Sequence, residues 1–232
     1  MSQPTDAARR FPTGVFVACL LIAAAVAGFG LFIVGHPSWS AIEVDVVRAV
    51  NAAHFPAMDA VALTINWLFG PGGVFVGVAL VVAVFTLTRS AWSATRAALL
   101  LMLPWAVAAL MKRFVGRMRP DPSLMTHLLI PSPRSLSYPS GHTAFAAALV
   151  CAVVLSIAVR RARRTTAVIG AVLVLLVGYS RVYLGVHYPS DTIASMIAVP
   201  ALSLACALLL AASGVFRRAP FIGSRAAAVP LR

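Results

Sequence analysis

The chain has 232 residues, 61% of them hydrophobic and 11% charged, with mean hydropathy +0.93 and a net charge of +13. Soluble domains carry about a quarter charged residues, so this composition excludes an ordinary water-soluble domain and suits one bundle of spans of roughly 20 residues each. The basic residues sit in short clusters between apolar runs, a pattern of membrane topology signals that argues against nucleic acid as a partner.

The first apolar run, Val15 to Val34, follows Arg9 and Arg10 and reads as a span. Ala25-Val26-Ala27 offers a small-residue cleavage site, so a signal peptide is the alternative reading. Residues 36–57 differ: Glu43, Asp45, Arg48 and Asn51 alternate with Ile42, Val46, Val47 and Val50 at helical spacing, which predicts an amphipathic helix at the interface. The stretch from Met58 to Thr88 is too long for one untilted crossing, so it either begins outside the bilayer or kinks at Gly70-Pro71-Gly72-Gly73. A third span runs from Trp92 to Lys112, with Pro104 as a kink site.

Between Arg113 and Pro139 lie five of the fifteen prolines, which predicts a loop. Further spans follow over 142–159, 167–182 and 191–212. The sequence therefore predicts an all-α, polytopic membrane helix bundle of about six transmembrane helices plus the interfacial helix. Residues 15–213 form one domain between a cytoplasmic tail, 1–14, and a basic cytoplasmic tail, 214–232. Cys19, Cys151 and Cys206 lie within apolar runs and read as small buried hydrophobes.

With the N-terminus inside, the inner segments hold 12 of the 19 Lys and Arg residues, including Arg89, Arg96 and the Arg160–Arg164 cluster. That bias places both termini in the cytoplasm. The outer 7 are Arg48, Lys112, Arg113, Arg117, Arg119, Arg134 and Arg181.

Three polar clusters interrupt the apolar background on that outer side. The first is Lys112 to Pro120, with Lys112 and Arg119; the second is Tyr138-Pro139-Ser140-Gly141-His142; the third is Ser180 to Asp191, with Arg181, His187 and Asp191. Cations converging near span ends call for an anion, and guanidinium groups match the paired oxygens of phosphate. Ser140-Gly141-His142 opens a helix, whose free N–H groups attract anions. His187 and Asp191 are four residues apart, so a helix beginning nearby puts both on one face. A carboxylate there fixes the imidazole tautomer and raises its basicity. The remaining polar residues have simpler readings. His36, His54, His127 and Asp121 read as solvated, Arg113, Arg117 and Arg134 as headgroup contacts or solvated charges, and Tyr183 and Tyr188 as interfacial aromatics.

Lys-x6-Arg-Pro, then Pro-Ser-Gly-His, then Ser-Arg-x5-His-x3-Asp resembles the tripartite signature of the type 2 phosphatidic acid phosphatase superfamily, in order and without substitution. The soluble vanadium haloperoxidases share the signature, but the hydropathy excludes them. The resemblance implies an integral-membrane, metal-independent lipid phosphatase without a cofactor. It implies that His187 attacks phosphorus to give a phosphohistidine, that Asp191 holds its ring, and that His142 protonates the leaving oxygen. Lys112, Arg119, Ser140, Gly141 and Arg181 would bind the phosphate. The implied partners are the bilayer and a lipid phosphate: a polyprenyl diphosphate such as undecaprenyl diphosphate, phosphatidic acid or phosphatidylglycerol phosphate. The site would lie on the outer face. The rival class is a transporter or flippase that binds anionic headgroups without hydrolysing them. It accounts for the cations but not for the His187–Asp191 spacing.

Overall fold

A computed structural model describes residues 11–216, and the expectations for the two terminal tails, 1–14 and 214–232, fall largely outside them. Eight α-helices make up the described chain: α1 (Thr13–Gly35), α2 (Pro37–Ala52), α3 (Pro56–Leu68), α4 (Pro71–Thr88), α5 (Ala91–Val115), α6 (Gly141–Val154), α7 (Arg160–Tyr183) and α8 (Pro189–Ala212). Five of them, α1, α4, α5, α7 and α8, are long and apolar enough to cross a bilayer, and α6 is a shorter apolar helix of 14 residues.

Helix α6 lies at the centre and packs against α5, α7 and α8. Its Ala144, Ala146, Ala147 and Ala148 are all buried, and such small side chains allow close helix approach where lipid supplies no hydrophobic drive. Helix α1 closes the bundle against α8, and α4 packs on α5. Outward-facing residues stay apolar, as Leu21, Phe75, Leu87 and Val168 do, because their solvent is lipid.

The long stretch from Met58 to Thr88 is two helices, α3 and α4, broken at Gly70. The break needs glycine. A Cβ on Gly73 would stand 2.0 Å from the Leu68 carbonyl oxygen, and one on Gly70 would stand 2.5 Å from that of Asn66. Helix α5 ends at Gly116, whose φ of 73° is the left-handed cap that favours glycine.

Helix α2 turns the opposite way from a simple amphipathic helix. Its inward face is Glu43, Val47 and Asn51, while Ile42 and Val46 point outward. The two inward polar side chains are matched: Glu43 by Arg117 and Ser190, and Asn51 by backbone groups of His127 and Tyr183.

The loop between α5 and α6 is anchored on α1. Tyr138 is fully buried, and its hydroxyl donates to the Val26 carbonyl (2.6 Å). Gly30 makes room for that ring, since a Cβ there would meet Tyr138 Cε1 at 2.5 Å. Gly30→Ile is therefore expected to destabilise by about 1–3 kcal/mol through overpacking. Thermal unfolding in detergent would show it as a lowered midpoint, and an unchanged midpoint would refute the close packing.

Candidate active site

All three polar clusters meet at one end of the bundle, where α5 and α7 finish and α6 and α8 begin. They surround a cavity of about 470 Å³ lined by Lys112, Arg119, Arg181, Gly141, His142 and His187, together with Asn66 and prolines of the loop.

His187 sits in the short turn between α7 and α8 and is 1% exposed. Its Nδ1 is 3.2 Å from Asp191 Oδ2. Its Nε2 lies 2.9 Å from Arg119 Nη1. A guanidinium is always a donor, so Nε2 accepts and the ring proton belongs on Nδ1, facing the carboxylate. The Nε2 lone pair, accepting from Arg119, then points to the side of the ring away from Asp191. Burial, followed by the charges of Arg119, Lys112 and Arg181, lowers the His187 pKa well below the usual histidine value, which keeps the ring neutral.

Asp191, in the first turn of α8, is buried and closely held. Its Oδ2 accepts from the Tyr188 N–H (2.9 Å) and from the Ser137 hydroxyl, and its Oδ1 accepts from Arg117 Nη1 (2.9 Å). The cations are fixed as well. Arg119 donates to the carbonyls of Ser135 (2.8 Å) and Val186 (2.6 Å). Lys112 Nζ donates to the Leu136 carbonyl (2.9 Å), and Arg181 Nη1 to Asn66 Oδ1 (2.8 Å). Burial draws the Arg119 pKa down to about 10, with Asp191 partly offsetting it, so the group stays charged at neutral pH.

His142 lies in the first turn of α6 on the cavity wall, its Nε2 3.3 Å from the Asn66 carbonyl. Ser140 is placed differently. It is fully buried, its hydroxyl accepts from Thr143 (3.1 Å), and its N–H donates to the Asp191 carbonyl (2.9 Å), so it joins α6 to α8 and is not among the lining groups.

The expectation that Arg117 is solvated or at the headgroups is wrong. It is 3% exposed, and it donates to Asp191, to Ser190 Oγ (2.7 Å), to Glu43 Oε2 (2.8 Å) and to Ser40 Oγ (2.9 Å), with its guanidinium over the Tyr188 ring at 3.8 Å. Two carboxylates on its inner side draw it out of solvent. His54 is also not solvated. Its ring stacks between those of His127 and Tyr183, and its nitrogens face Asp59 (2.9 Å) and the Tyr183 carbonyl (3.0 Å). Tyr183 and Tyr188 are buried as well. Arg113, Arg134, His36, His127 and Asp121 are exposed.

Sequence reasoning missed Glu43, Asn66 and Ser137. Asn66 carried a signal, as an amide inside an apolar run. Glu43 and Ser137 carried none, since each is unremarkable until its distant partner is in place.

A family model, the PAP2 superfamily, matches residues 93–214.

The chain belongs to the PAP2 superfamily.

Among curated relatives, a decaprenylphosphoryl-5-phosphoribose phosphatase of Mycobacterium tuberculosis is 39% identical over 87 residues, 37% of this chain and 44% of that protein. An undecaprenyl-diphosphatase of Sulfolobus acidocaldarius is 39% identical over 69 residues, 30% of this chain and 31% of that protein. The matches thus span less than half the length of these relatives. Two crystal structures share the fold at 23% identity. A transmembrane PAP2-type phosphatidylglycerolphosphate phosphatase from Bacillus subtilis has a TM-score of 0.61, over 90% of this chain and 96% of that one. LpxE of Aquifex aeolicus has a TM-score of 0.55, over 70% and 92%. With five helices of spanning length, this PAP2 chain is an integral membrane protein.

Proposed function

We propose that the chain is a lipid phosphatase that hydrolyses a lipid phosphate or diphosphate through a phosphohistidine on His187. The observation that carries this reading is the bipolar setting of His187: a carboxylate behind Nδ1, and three cations with His142 around the cavity that Nε2 faces.

In the proposed reaction the Nε2 lone pair attacks phosphorus as the bond to the leaving oxygen breaks, and His142 gives that oxygen its proton. Asp191 stabilises the imidazolium formed. Water then attacks the phosphorus, His142 takes a proton from it, the P–N bond breaks and its electron pair returns to Nε2. Lys112, Arg119 and Arg181 stabilise the equatorial oxygens, with the Gly141 N–H at the start of α6 as a further donor. Arg119 now occupies the face of His187 where phosphorus must arrive, so phosphate binding draws its Nη1 off Nε2. Ser140 acts by holding the α6 terminus to α8.

The same reading places both termini in the cytoplasm and the site at the outer face, because the Arg160–Arg164 cluster opens α7 at the end of the bundle away from the cavity. The names of the curated relatives support polyprenyl phosphates or diphosphates as substrates, and the Bacillus neighbour supports phosphatidylglycerol phosphate.

Purified protein in detergent is expected to release inorganic phosphate with time from at least one of these lipids. Binding without release would favour a transporter or flippase. Because three cations carry the charge in the proposed step, a chelator is expected to leave the rate unchanged. Loss of activity on chelation that Mg²⁺ restores would overturn that part.

A further inference from the structure

Four arginines open α7 at the end of the bundle away from the phosphate cavity: Arg160, Arg161, Arg163 and Arg164, all exposed. The chain has six acidic residues. Glu43, Asp45, Asp59, Asp121 and Asp191 all lie toward the cavity end, on α2, α3, the loop before α6 and the first turn of α8, and Asp6 precedes the described residues. Among the described residues no carboxylate neutralises any of the four arginines. Like charges set so close repel one another, and a bound anion relieves that repulsion.

The register of the run is informative. An apolar groove of about 360 Å³ lies between α6, α7 and α8, and α7 lines it with Ala167, Ala171, Val174 and Leu175. Arg163 stands four residues before Ala167, Arg164 seven before Ala171, and Arg160 seven before Ala167, so all three share the groove's face of the helix. Arg161 does not, since the same spacings lead to Thr165 and Val168, which lie outside the groove. Along α7 the groove covers roughly 12 Å, most of the hydrocarbon depth of one leaflet, and Arg163 follows about 6 Å further on. Of the two further apolar grooves, one opens from His142 into the site already described. The other, between α1, α2 and α8, is lined by Glu43, which repels an anion.

We infer that this end of the bundle carries a second lipid site, for one anionic glycerophospholipid of the leaflet opposite the phosphate cavity. Its phosphate rests on Arg160, Arg163 and Arg164, and an acyl chain lies in the groove between α6, α7 and α8. A soluble anion would meet the arginines and leave the groove. A zwitterionic lipid would fill the groove and leave the positive charge unbalanced. An anionic lipid does both, and each arginine near the membrane surface is worth about fivefold in affinity. A topology signal depends on the number of arginines and not on the face they occupy. The site depends on the face, and Arg161 separates the two.

The test places the full chain in phosphatidylcholine nanodiscs with a trace of phosphatidylglycerol carrying a diazirine in one acyl chain. After illumination the labelled peptides are mapped and their yield is measured, with a phosphatidylcholine probe of the same design in parallel. The phosphatidylglycerol probe is expected to label the groove walls, residues 147–154 and 167–175, and to do so more than fivefold better than the phosphatidylcholine probe. Arg164→Gln should lower that yield by about fivefold and Arg160→Gln/Arg164→Gln by about 25-fold, whereas Arg161→Gln, which removes the same charge from the same turn, should change it less than twofold. Ala171→Trp, which fills the groove, should lower it by about fourfold or more, the contact of one methylene. Thermal midpoints report whether each variant is folded, and the exposed arginine variants decide the matter if Ala171→Trp is not.

Equal labelling by the two probes, an equal loss in Arg161→Gln and Arg164→Gln, or no label in the groove overturns the inference. Label confined to the outer half of the bundle assigns the anionic lipid to the phosphate cavity and overturns it as well. None of these results bears on the phosphatase reading, which is tested by phosphate release.

Discussion

Replacing His187 by alanine is expected to lower kcat by about four orders of magnitude or more, the scale on which removal of a covalent nucleophile acts. The side chain is 1% exposed, and its ring contacts Asp191 on one edge and Arg119 on the other, so no neighbouring group can substitute for Nε2. Alkali-quenched labelling of the protein by a lipid radiolabelled in the phosphate that is released, stable to base and lost in acid, should be present in wild type and absent in the variant. Turnover within tenfold of wild type would refute the nucleophilic role. Asp191→Asn should cost less in rate, about two to four orders of magnitude, because the amide holds the ring in place but favours the wrong tautomer.

The same residue sets a pH signature in stability. Its pKa lies below its unfolded value of about 6.5, so the folded state binds the proton less well than the unfolded state. The neutral ring's contribution is therefore complete above about pH 6.5 and is lost as pH falls from there toward the folded pKa. Thermal midpoints in detergent should fall more between pH 7.5 and 5 for wild type than for His187→Ala. Parallel curves would contradict the shift.

Arg117→Met is expected to have the largest effect on stability. It removes the group that separates two buried carboxylates: Glu43 on α2 and Asp191 on α8. Breaking a buried pair on one side costs about 3–5 kcal/mol, because the remaining charges stay buried and unmatched. Here two like charges would be left together, and Asp191 would lose its donor on Oδ1. The unfolding midpoint should fall by about 10 °C, with activity falling as well. Adding Glu43→Gln to Arg117→Met removes one of the two stranded charges and should recover part of the loss. If Arg117→Met leaves both midpoint and rate unchanged, the buried network carries no weight.

The burial of Arg117 between Glu43 and Asp191 is not legible in the sequence. Arg117 stands between Lys112 and Arg119 in an outer loop, where isolated arginines are ordinarily solvated. The reading fails because Glu43, which draws it inward, is 74 positions away, and Ser190, which shares that carboxylate, is 147 positions from Glu43. His54 misled for the same reason: its carbonyl partner on Tyr183 is 129 positions distant.

By itself the sequence determined five long apolar helices, the loop rich in proline and the Lys, Arg and His side chains that gather at the cavity, whereas the sixth expected span, 142–159, is the 14-residue helix α6. Those features are local, since span length follows from an apolar run, and the order Lys112, Arg119, His142, Arg181, His187, Asp191 is visible along the chain. Tertiary structure alone decided that α2 turns Glu43 and Asn51 inward, that α3 and α4 part at Gly70 so that Asn66 meets Arg181, and that an apolar groove opens from His142. Each of these depends on which helix faces which. Inside a bilayer, hydrophobicity does not choose between helix neighbours, so that choice falls to small-residue contacts and polar partners far apart in the chain.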